Sequence, residues 1–192
     1  MPSRGPISLH LDLWRYWNAK RGDRMILARG DLDPADMRHL LPYVTLVDRI
    51  DGRSRYRLVG SAACQDQGHD TTGEFVGSRA TPPQYAAALI AIYEGVFATG
   101  HPHFSTGEYR APSQAVHRSS RLLLPLGEDG TSVNMVVLTR IARFNRNVSA
   151  GTDWVTGAPG KICDIVEVSS FEQLKLLCSA WESQSSRTQG VA

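Results

Sequence analysis

A strand, a short helix and a loop follow one another in the stretch Arg55-Tyr-Arg-Leu-Val-Gly-Ser-Ala-Ala-Cys-Gln-Asp-Gln-Gly-His-Asp-Thr-Thr-Gly73. Charged and apolar residues alternate at its start, which is the period of a strand with two different faces. Gly60 ends this strand, and a helical turn is predicted from Ala62 to Gln67. Gly68 and Gly73 allow backbone conformations that other residues resist. We therefore expect a strand that leads directly into a small helix and a glycine-hinged loop.

The segments on either side predict a sheet. Tyr43 to Ile50 and Ser54 to Gly60 flank Asp51-Gly52, a dipeptide typical of a tight hairpin. After the central stretch, helical spacing begins at Pro82-Pro83 and ends near Gly100. Three further strands are predicted at His101 to Arg110, Val116 to Leu126 and Val133 to Ala142. The fold class is therefore α+β, with a five-stranded antiparallel sheet and helices inserted after its second strand.

Helices are also predicted near both ends of the chain. Leu9 to Arg21 places Trp14 and Trp17 on one apolar stripe, which must pack on its own sheet or on a second copy. Asp33 and Pro34 suit the start of a short helix to about Leu41. Near the C-terminus, Ser169-Ser-Phe-Glu172 is interpreted as a capping box before a helix that carries Phe171 and Trp181. We expect a helix at 1–23, a core at 24–142, an extension with a helix at 143–182, and a disordered tail at 183–192.

Bulk properties limit the function classes. The chain has 192 residues and a formal net charge of +2, which is too small for a nucleic-acid footprint. Its most apolar segment, Tyr85 to Phe97, is shorter than the roughly 20 residues that span a bilayer. No signal-peptide pattern follows Met1, so a cytoplasmic location is expected. The cysteines, Cys64, Cys163 and Cys178, are widely spaced and are expected to be reduced.

The sequence offers little evidence for a cofactor site, a metal site or a catalytic site. His69, His101 and His103 could supply an axial ligand to haem iron, although polar loop histidines explain them more simply. No zinc spacing or phosphate-binding loop is present, so no metal site is predicted. A hydrolase could use Ser119, Ser120, His117 and Asp129, but the sequence has no nucleophile elbow.

Two strand arginines have two interpretations. Arg118 and Arg121 are most simply charges that face solvent. Holding an anionic ligand is the alternative, because guanidinium groups pair well with anions.

Several different short motifs occur along the chain, and their order is informative. Arg57-Leu-Val-Gly60 is followed by Gly68-His-Asp-Thr-Thr-Gly73 within the central stretch. The others are Trp14 with Trp17, Asp31-Leu-Asp33-Pro34, Leu41-Pro42, Leu122-Leu-Leu-Pro-Leu-Gly127 and Asp129-Gly130. Together they cover 13–138, and their order resembles the bacterial single-domain PAS family, formerly catalogued as a domain of unknown function and including MopJ-like motility regulators.

The resemblance implies a sensor or interaction module. Its sheet curves against its helices and sometimes encloses a small molecule, and signals pass through flanking helices and dimer contacts. The family has no general catalytic signature, so we expect no enzyme. The predicted function is non-enzymatic regulation in signal transduction through protein–protein contacts, with a small ligand as an optional modulator. The alternatives are a sensor that binds haem or another cofactor and, less favoured, a small-molecule enzyme.

A pocket and an interaction surface can be assigned as hypotheses. The candidate pocket residues between sheet and helices are Cys64, Tyr93, Phe97, Leu124 and Met135, each of which is equally well explained as core. The candidate interaction residues are Trp14, Trp17, Phe171 and Trp181. The expected partners are a signalling protein, a second copy of the chain or a small molecule, with no nucleic acid and no membrane span.

Overall fold

A computed structural model describes residues 7–80, 83–110, 116–143 and 160–187. Its helices are α1 (Ser8–Arg21), α2 (Ser61–Gln67), α3 (Pro83–Thr99) and α4 (Phe171–Arg187). Its strands are β1 (Leu27–Ala28), β2 (Val44–Ile50), β3 (Arg53–Val59), β4 (His103–Arg110), β5 (Val116–Gly127), β6 (Met135–Arg143) and β7 (Gly160–Glu167). Short 3-10 turns occupy Arg29–Asp31 and Leu41–Tyr43.

The strands form one sheet in the order β3-β2-β6-β5-β4-β7, and neighbouring strands in this order are antiparallel. The two-residue β1 adds a parallel pairing to β5. The predicted α+β class and antiparallel sheet are confirmed, with α2 and α3 inserted after β3. The sheet is wider than the five predicted strands because β1 and β7 join it.

The first hairpin follows directly from its turn residues. Asp51 and Gly52 both have positive φ, at 50° and 75°. Two consecutive left-handed residues match the twist of the flanking strands, and Asp-Gly is one of the dipeptides that adopt this geometry readily. The turn fixes the register of β2 on β3.

The sheet is covered on both sides. Because side chains alternate along a strand, Leu122 and Val137 pack into a cluster with α1 and α4, whereas Leu123 and Val136 pack into a cluster with α3. This alternation divides the protein into an outer layer, consisting of α1 and α4, and an inner layer, consisting of α2 and α3. In the described residues, no helix is long and apolar enough to cross a membrane.

A buried histidine ties the outer layer to the sheet. The ring nitrogens of His10 lie 2.7 Å from Thr139 Oγ1 and 3.0 Å from Ser120 Oγ. Burial lowers the pKa of His10 to about 3, so its imidazole is neutral near pH 7. A neutral ring donates one hydrogen bond and accepts another, and both of its polar atoms are therefore satisfied.

The tryptophans of the outer layer are buried within this chain. Trp14, Trp17 and Trp181 are at most 6% exposed, and Phe171 packs against the same cluster. The indole of Trp17 also donates a hydrogen bond to the Pro125 carbonyl at 2.9 Å. Of the two arrangements predicted for α1, packing on its own sheet is the one observed. The three tryptophans therefore do not form an exposed interaction surface, and Phe171 is partly buried.

The helix predicted after Pro34 is wrong. The Ala35 N–H donates to Asp33 Oδ1 at 2.8 Å, and successive turns follow, with Met37 N–H bonded to the Pro34 carbonyl. Aspartate before proline suits a side-chain turn as well as a helix start, and here the turn is adopted.

The C-terminal helix differs from prediction at both ends. The Gln173 N–H donates to Ser170 Oγ at 3.2 Å, and Gln173 Oε1 accepts from the Ser169 N–H at 2.8 Å. The cap is therefore Ser170, one residue later than predicted. The helix extends to Arg187, so 183–187 are helical rather than disordered. The part of the predicted 143–182 extension that precedes β7 lies, except for Arg143, outside the described residues.

Candidate ligand cavity

A cavity of about 160 Å³ lies between the sheet and the inner layer. An apolar cavity of about 150 Å³ holds one benzene molecule, so this space suits a compound with a single small ring. It is smaller than the roughly 300–1,000 Å³ of pockets for drug-sized ligands, and a haem macrocycle does not fit it. Its lining residues are Thr45, Tyr56, Ala63, Gln67, His69, Tyr85, Leu89, Tyr93, Glu108, Arg118, Ser119, Arg121, Leu138, Arg140 and Ala142.

Two arginines face each other across this lining. Arg121 on β5 and Arg140 on β6 are paired residues in the sheet, and Arg121 is only 5% exposed. Burial lowers the pKa of Arg140, and the positive charge of Arg121 lowers it further. Like charges at directly opposed strand positions repel each other, so the juxtaposition of these two arginines is electrostatically unfavourable.

Tyrosines supply phenolic groups to the same space. The rings of Tyr56 and Tyr93 meet edge to face, with centroids 6.4 Å apart. Burial raises the pKa of both hydroxyls, and that of Tyr93 most strongly. Both phenols therefore stay protonated and can donate hydrogen bonds at neutral pH. Tyr85, on the first turns of α3, is the third tyrosine of the lining.

A glycine-hinged loop presents His69 to the cavity. Gly68 ends α2 in the left-handed conformation, with φ of 76°. His69 Nδ1 lies 3.0 Å from the Gln67 carbonyl oxygen. Its Nε2 is buried and has no hydrogen-bond partner among the described residues. The loop is held to β3 by backbone bonds from Gly73 N–H to the Tyr56 carbonyl at 2.7 Å and from Tyr56 N–H to the Glu74 carbonyl at 2.9 Å.

The start of α2 is fixed by a close backbone approach. A Cβ atom at Gly60 would lie 2.4 Å from the Pro42 carbonyl oxygen and 2.6 Å from that of Leu41. Only glycine permits this contact. The Gly60 N–H donates to the Val44 carbonyl at 2.9 Å, and so the junction between β3 and α2 is pinned to the turn before β2.

Two carboxylates lie close to the arginines. Glu108 pairs with Arg118 across β4 and β5, with a separation of 3.0 Å. Burial raises the pKa of Asp66 on α2, while the charge of Arg140 opposes this shift. Three guanidinium groups therefore face two carboxylates, one of which is held in an ion pair.

The structure separates the residues that the sequence assigned to a pocket. Tyr93 lines the cavity, and Phe97 belongs to the same inner cluster without lining it. Cys64 lies on α2 beside the cavity, where its thiol contacts the Val59 carbonyl at 3.7 Å. Leu124 and Met135 point to the outer layer, so their assignment to this face is wrong. Alternation shows which residues share a face but not which layer covers that face.

Residues that the sequence analysis did not assign to the pocket form much of its polar lining. Arg121 was interpreted most simply as a charge that faces solvent, and its burial corrects this interpretation. Arg140, Tyr56 and Tyr85 were not singled out. A usable signal was present, because Arg121 and Arg140 share their sheet face with Leu123 and Leu138, which are buried positions.

The residues considered for a hydrolase site are not brought together. Ser119 lines the cavity, whereas the Ser120 hydroxyl binds His10 on the opposite face. Asp129 accepts turn hydrogen bonds from Thr131 and Ser132. The side chain of His117 lies outside the described residues.

The other two histidines proposed as haem ligands have partners within the chain. The ring of His103 contacts the His101 carbonyl at 2.9 Å, and His101 pairs with Glu167. Among the described side chains, no three histidines, cysteines or carboxylates gather as a metal site would require.

Comparison with known protein families identifies the family of this chain. The family model for the PAS domain matches residues 8–138, which is more than half of the chain. No curated protein matches the chain significantly. The matched segment contains α1, the hairpin, the inner layer, β4, β5 and the start of β6, and so includes most of the cavity lining. The chain belongs to the PAS domain family.

Proposed function

We propose that this PAS domain is a non-enzymatic sensory module in which a small molecule in the cavity changes contacts between the outer layer and a protein partner. PAS domains are sensory or regulatory modules, and the finer role is argued from the cavity. The supporting observation is its lining, in which buried Arg121 and Tyr93 and partly buried Tyr56 share one cavity. A core that served packing alone would hold apolar groups there.

The sheet offers a short route from the cavity to the outer layer. Arg121 and Arg140 face the cavity, and the residues next to them, Ser120 and Thr139, hold His10 of α1 on the other face. A ligand that moves the two arginines therefore acts on strand positions adjacent to the anchor of α1. Such a shift requires that the ligand bind one arrangement of β5 and β6 more tightly than another.

The outer layer is the proposed output. α1 packs against α4, where the guanidinium of Arg15 lies 4.8 Å from the Phe171 ring centroid. The side chain of Leu176 on α4 is 73% exposed. A partner protein or a second copy of the chain would contact this layer, because it lies on the side of the sheet opposite the cavity.

Native mass spectrometry of the freshly purified full chain tests this function. We expect additional mass that is lost on denaturation, and its removal should change amide hydrogen exchange in α1. Ala142→Trp, which adds a large side chain to the cavity lining, should abolish retention, whereas Ala35→Trp at an exposed turn should not. A bare chain whose α1 exchange is the same in wild type and Ala142→Trp would contradict the proposal.

A further inference from the structure

We infer that the cavity binds a small organic carboxylate, with its carboxylate group on Arg121 and Arg140 and an apolar body of one small ring against the aliphatic and tyrosine side chains. This inference names the ligand class of the cavity and rests on the proposed sensory function.

The first argument is the incomplete pairing of Arg121. Its Nη1 donates to Ser119 Oγ at 3.3 Å, and no carboxylate among the described residues lies within ion-pair distance of it. A guanidinium has five N–H donors, and this one lines a cavity that a small anion can enter. Such an anion would supply further acceptors and the negative charge that the neighbouring side chains do not.

The second argument is the position of the neighbouring arginine. Arg140 is paired with Arg121 across β5 and β6, so the two guanidinium groups extend from opposed positions on one sheet face. Arginine binds a carboxylate through two parallel hydrogen bonds, and two arginines can share one such group. Binding would also reduce the repulsion between the two cations.

The protein's own carboxylates do not replace the ligand. Glu108 is already paired with Arg118 at 3.0 Å. Asp66 interacts electrostatically with Arg140, but desolvation disfavours its ionised form. His69 contributes an imidazole to the same lining. The lining itself therefore carries more cationic groups, Arg118, Arg121 and Arg140, than carboxylates, of which it has Glu108.

The rest of the lining indicates what the carboxylate is attached to. Leu89, Leu138 and Ala63 provide aliphatic surface, and Tyr56 and Tyr93 provide ring faces and edges. Inorganic phosphate would leave this surface without a partner. A ring-sized organic acid matches both the polar and the apolar parts of the cavity and its volume of about 160 Å³.

Isothermal titration of the full chain with benzoate, benzamide and inorganic phosphate tests the ligand class. Benzamide has nearly the shape of benzoate without its charge. We expect benzoate to bind at least about tenfold more tightly than either other compound, since benzamide lacks the charge that pairs with a guanidinium and phosphate lacks the ring that the apolar lining contacts. Equal affinity for benzamide, tighter binding of phosphate, or no binding of benzoate would overturn the inference.

Variants assign the binding to the arginines. Arg121→Met should weaken benzoate binding by about ten- to a hundredfold and leave benzamide binding within about threefold. Arg38→Met, which removes an exposed arginine outside the cavity, should bind benzoate as wild type does. Unchanged benzoate affinity in Arg121→Met would overturn the assignment. Native mass spectrometry separates the two proposals. If the purified protein retains a neutral molecule, the inference of a carboxylate ligand is wrong but the proposed sensory function is supported.

Discussion

The two faces of the same strands contrast in how the polar groups near the centre of the sheet are paired. On the outer face, the neutral ring of His10 has a partner at each nitrogen, and the indole of Trp17 has a carbonyl acceptor. On the inner face, His69 Nε2 has no partner among the described residues, and two arginines oppose each other. Adjacent residues on β5 and β6 therefore have different roles, since Ser120 and Thr139 bind His10 while Arg121 and Arg140 line the cavity. The outer face therefore resembles an ordinary packed core, and the inner face carries the polar groups on which the proposed ligand site depends.

The largest expected effect is on the outer face. Trp17→Ala should lower the free energy of unfolding by about 3–5 kcal/mol, because it removes a nearly fully buried ring and leaves the Pro125 carbonyl without its donor. Urea denaturation followed by circular dichroism measures the change. Leu176→Ala, at a position 73% exposed on the same layer, is the control and should change stability by less than about 0.5 kcal/mol. Equal losses in the two variants would remove the distinction between the buried and exposed sides of this layer.

The next effect is a pH dependence that comes from His10. Its folded-state pKa of about 3 lies below the unfolded value of about 6.5, so the unfolded chain binds the extra proton between these values. The stability contributed by this neutral histidine is complete above pH 6.5 and falls by about 1.4 kcal/mol per pH unit as the pH drops toward 3. Urea midpoints at pH 7, 6, 5 and 4 measure this slope.

The pH dependence of the wild-type stability is compared with that of His10→Gln, whose side chain cannot titrate but can still form hydrogen bonds to two hydroxyls. The difference in stability between wild type and this variant should shrink with falling pH, since carboxylates affect both chains equally. His39→Gln removes an exposed histidine and controls for the substitution itself. A constant difference from pH 7 to 4 would show that His10 is not held neutral by the fold.

A matched pair of leucines gives a smaller effect. Leu122 is buried toward the outer layer, and Leu138 is buried beside the cavity. Leu122→Ala should reduce the free energy of unfolding by about 1–2 kcal/mol more than Leu138→Ala, because the tightly packed face is left with a new void that cannot collapse. Denaturant unfolding of the two variants gives the difference directly, and a larger loss for Leu138→Ala would reverse the assignment of the two faces.

The smallest effect has the opposite sign. In the ligand-free protein, Arg121→Met should leave stability unchanged or raise it by up to about 1 kcal/mol, because it removes one of two opposed cations and keeps an unbranched apolar stem in place of the arginine's. Thermal unfolding in ligand-free buffer is the measurement. A loss above about 2 kcal/mol would mean that Arg121 stabilises the fold itself.

Sequence patterns predicted the hairpin and the long helix α3 correctly, but not the turns that tertiary packing determines. Asp51-Gly52 specified the hairpin because its two residues readily adopt the positive φ that the turn requires, and helical spacing located α3. The turns after Asp33 were not predicted, because the same residues also suit a helix start. The choice between them is made by tertiary packing around Met37 and Leu40, both of which are buried.

The candidate site was harder to predict for a physical reason. Period two showed that Leu124 and Met135 lie inside, but the layer that covers each face depends on where α1 crosses the sheet. A charged residue on a strand normally faces water, so Arg121 was assigned to the surface. Its burial follows from packing of the inner layer over that face, which no local pattern records.

The glycine at position 60 limits how this cavity can vary among related sequences. Because its backbone lies against the Leu41 and Pro42 carbonyls, a library saturated at this position should return glycine alone. Arg121 and Arg140, by contrast, contribute side chains to the lining. Selectivity for new ligands can therefore be acquired by exchanging lining side chains over an unchanged main-chain frame.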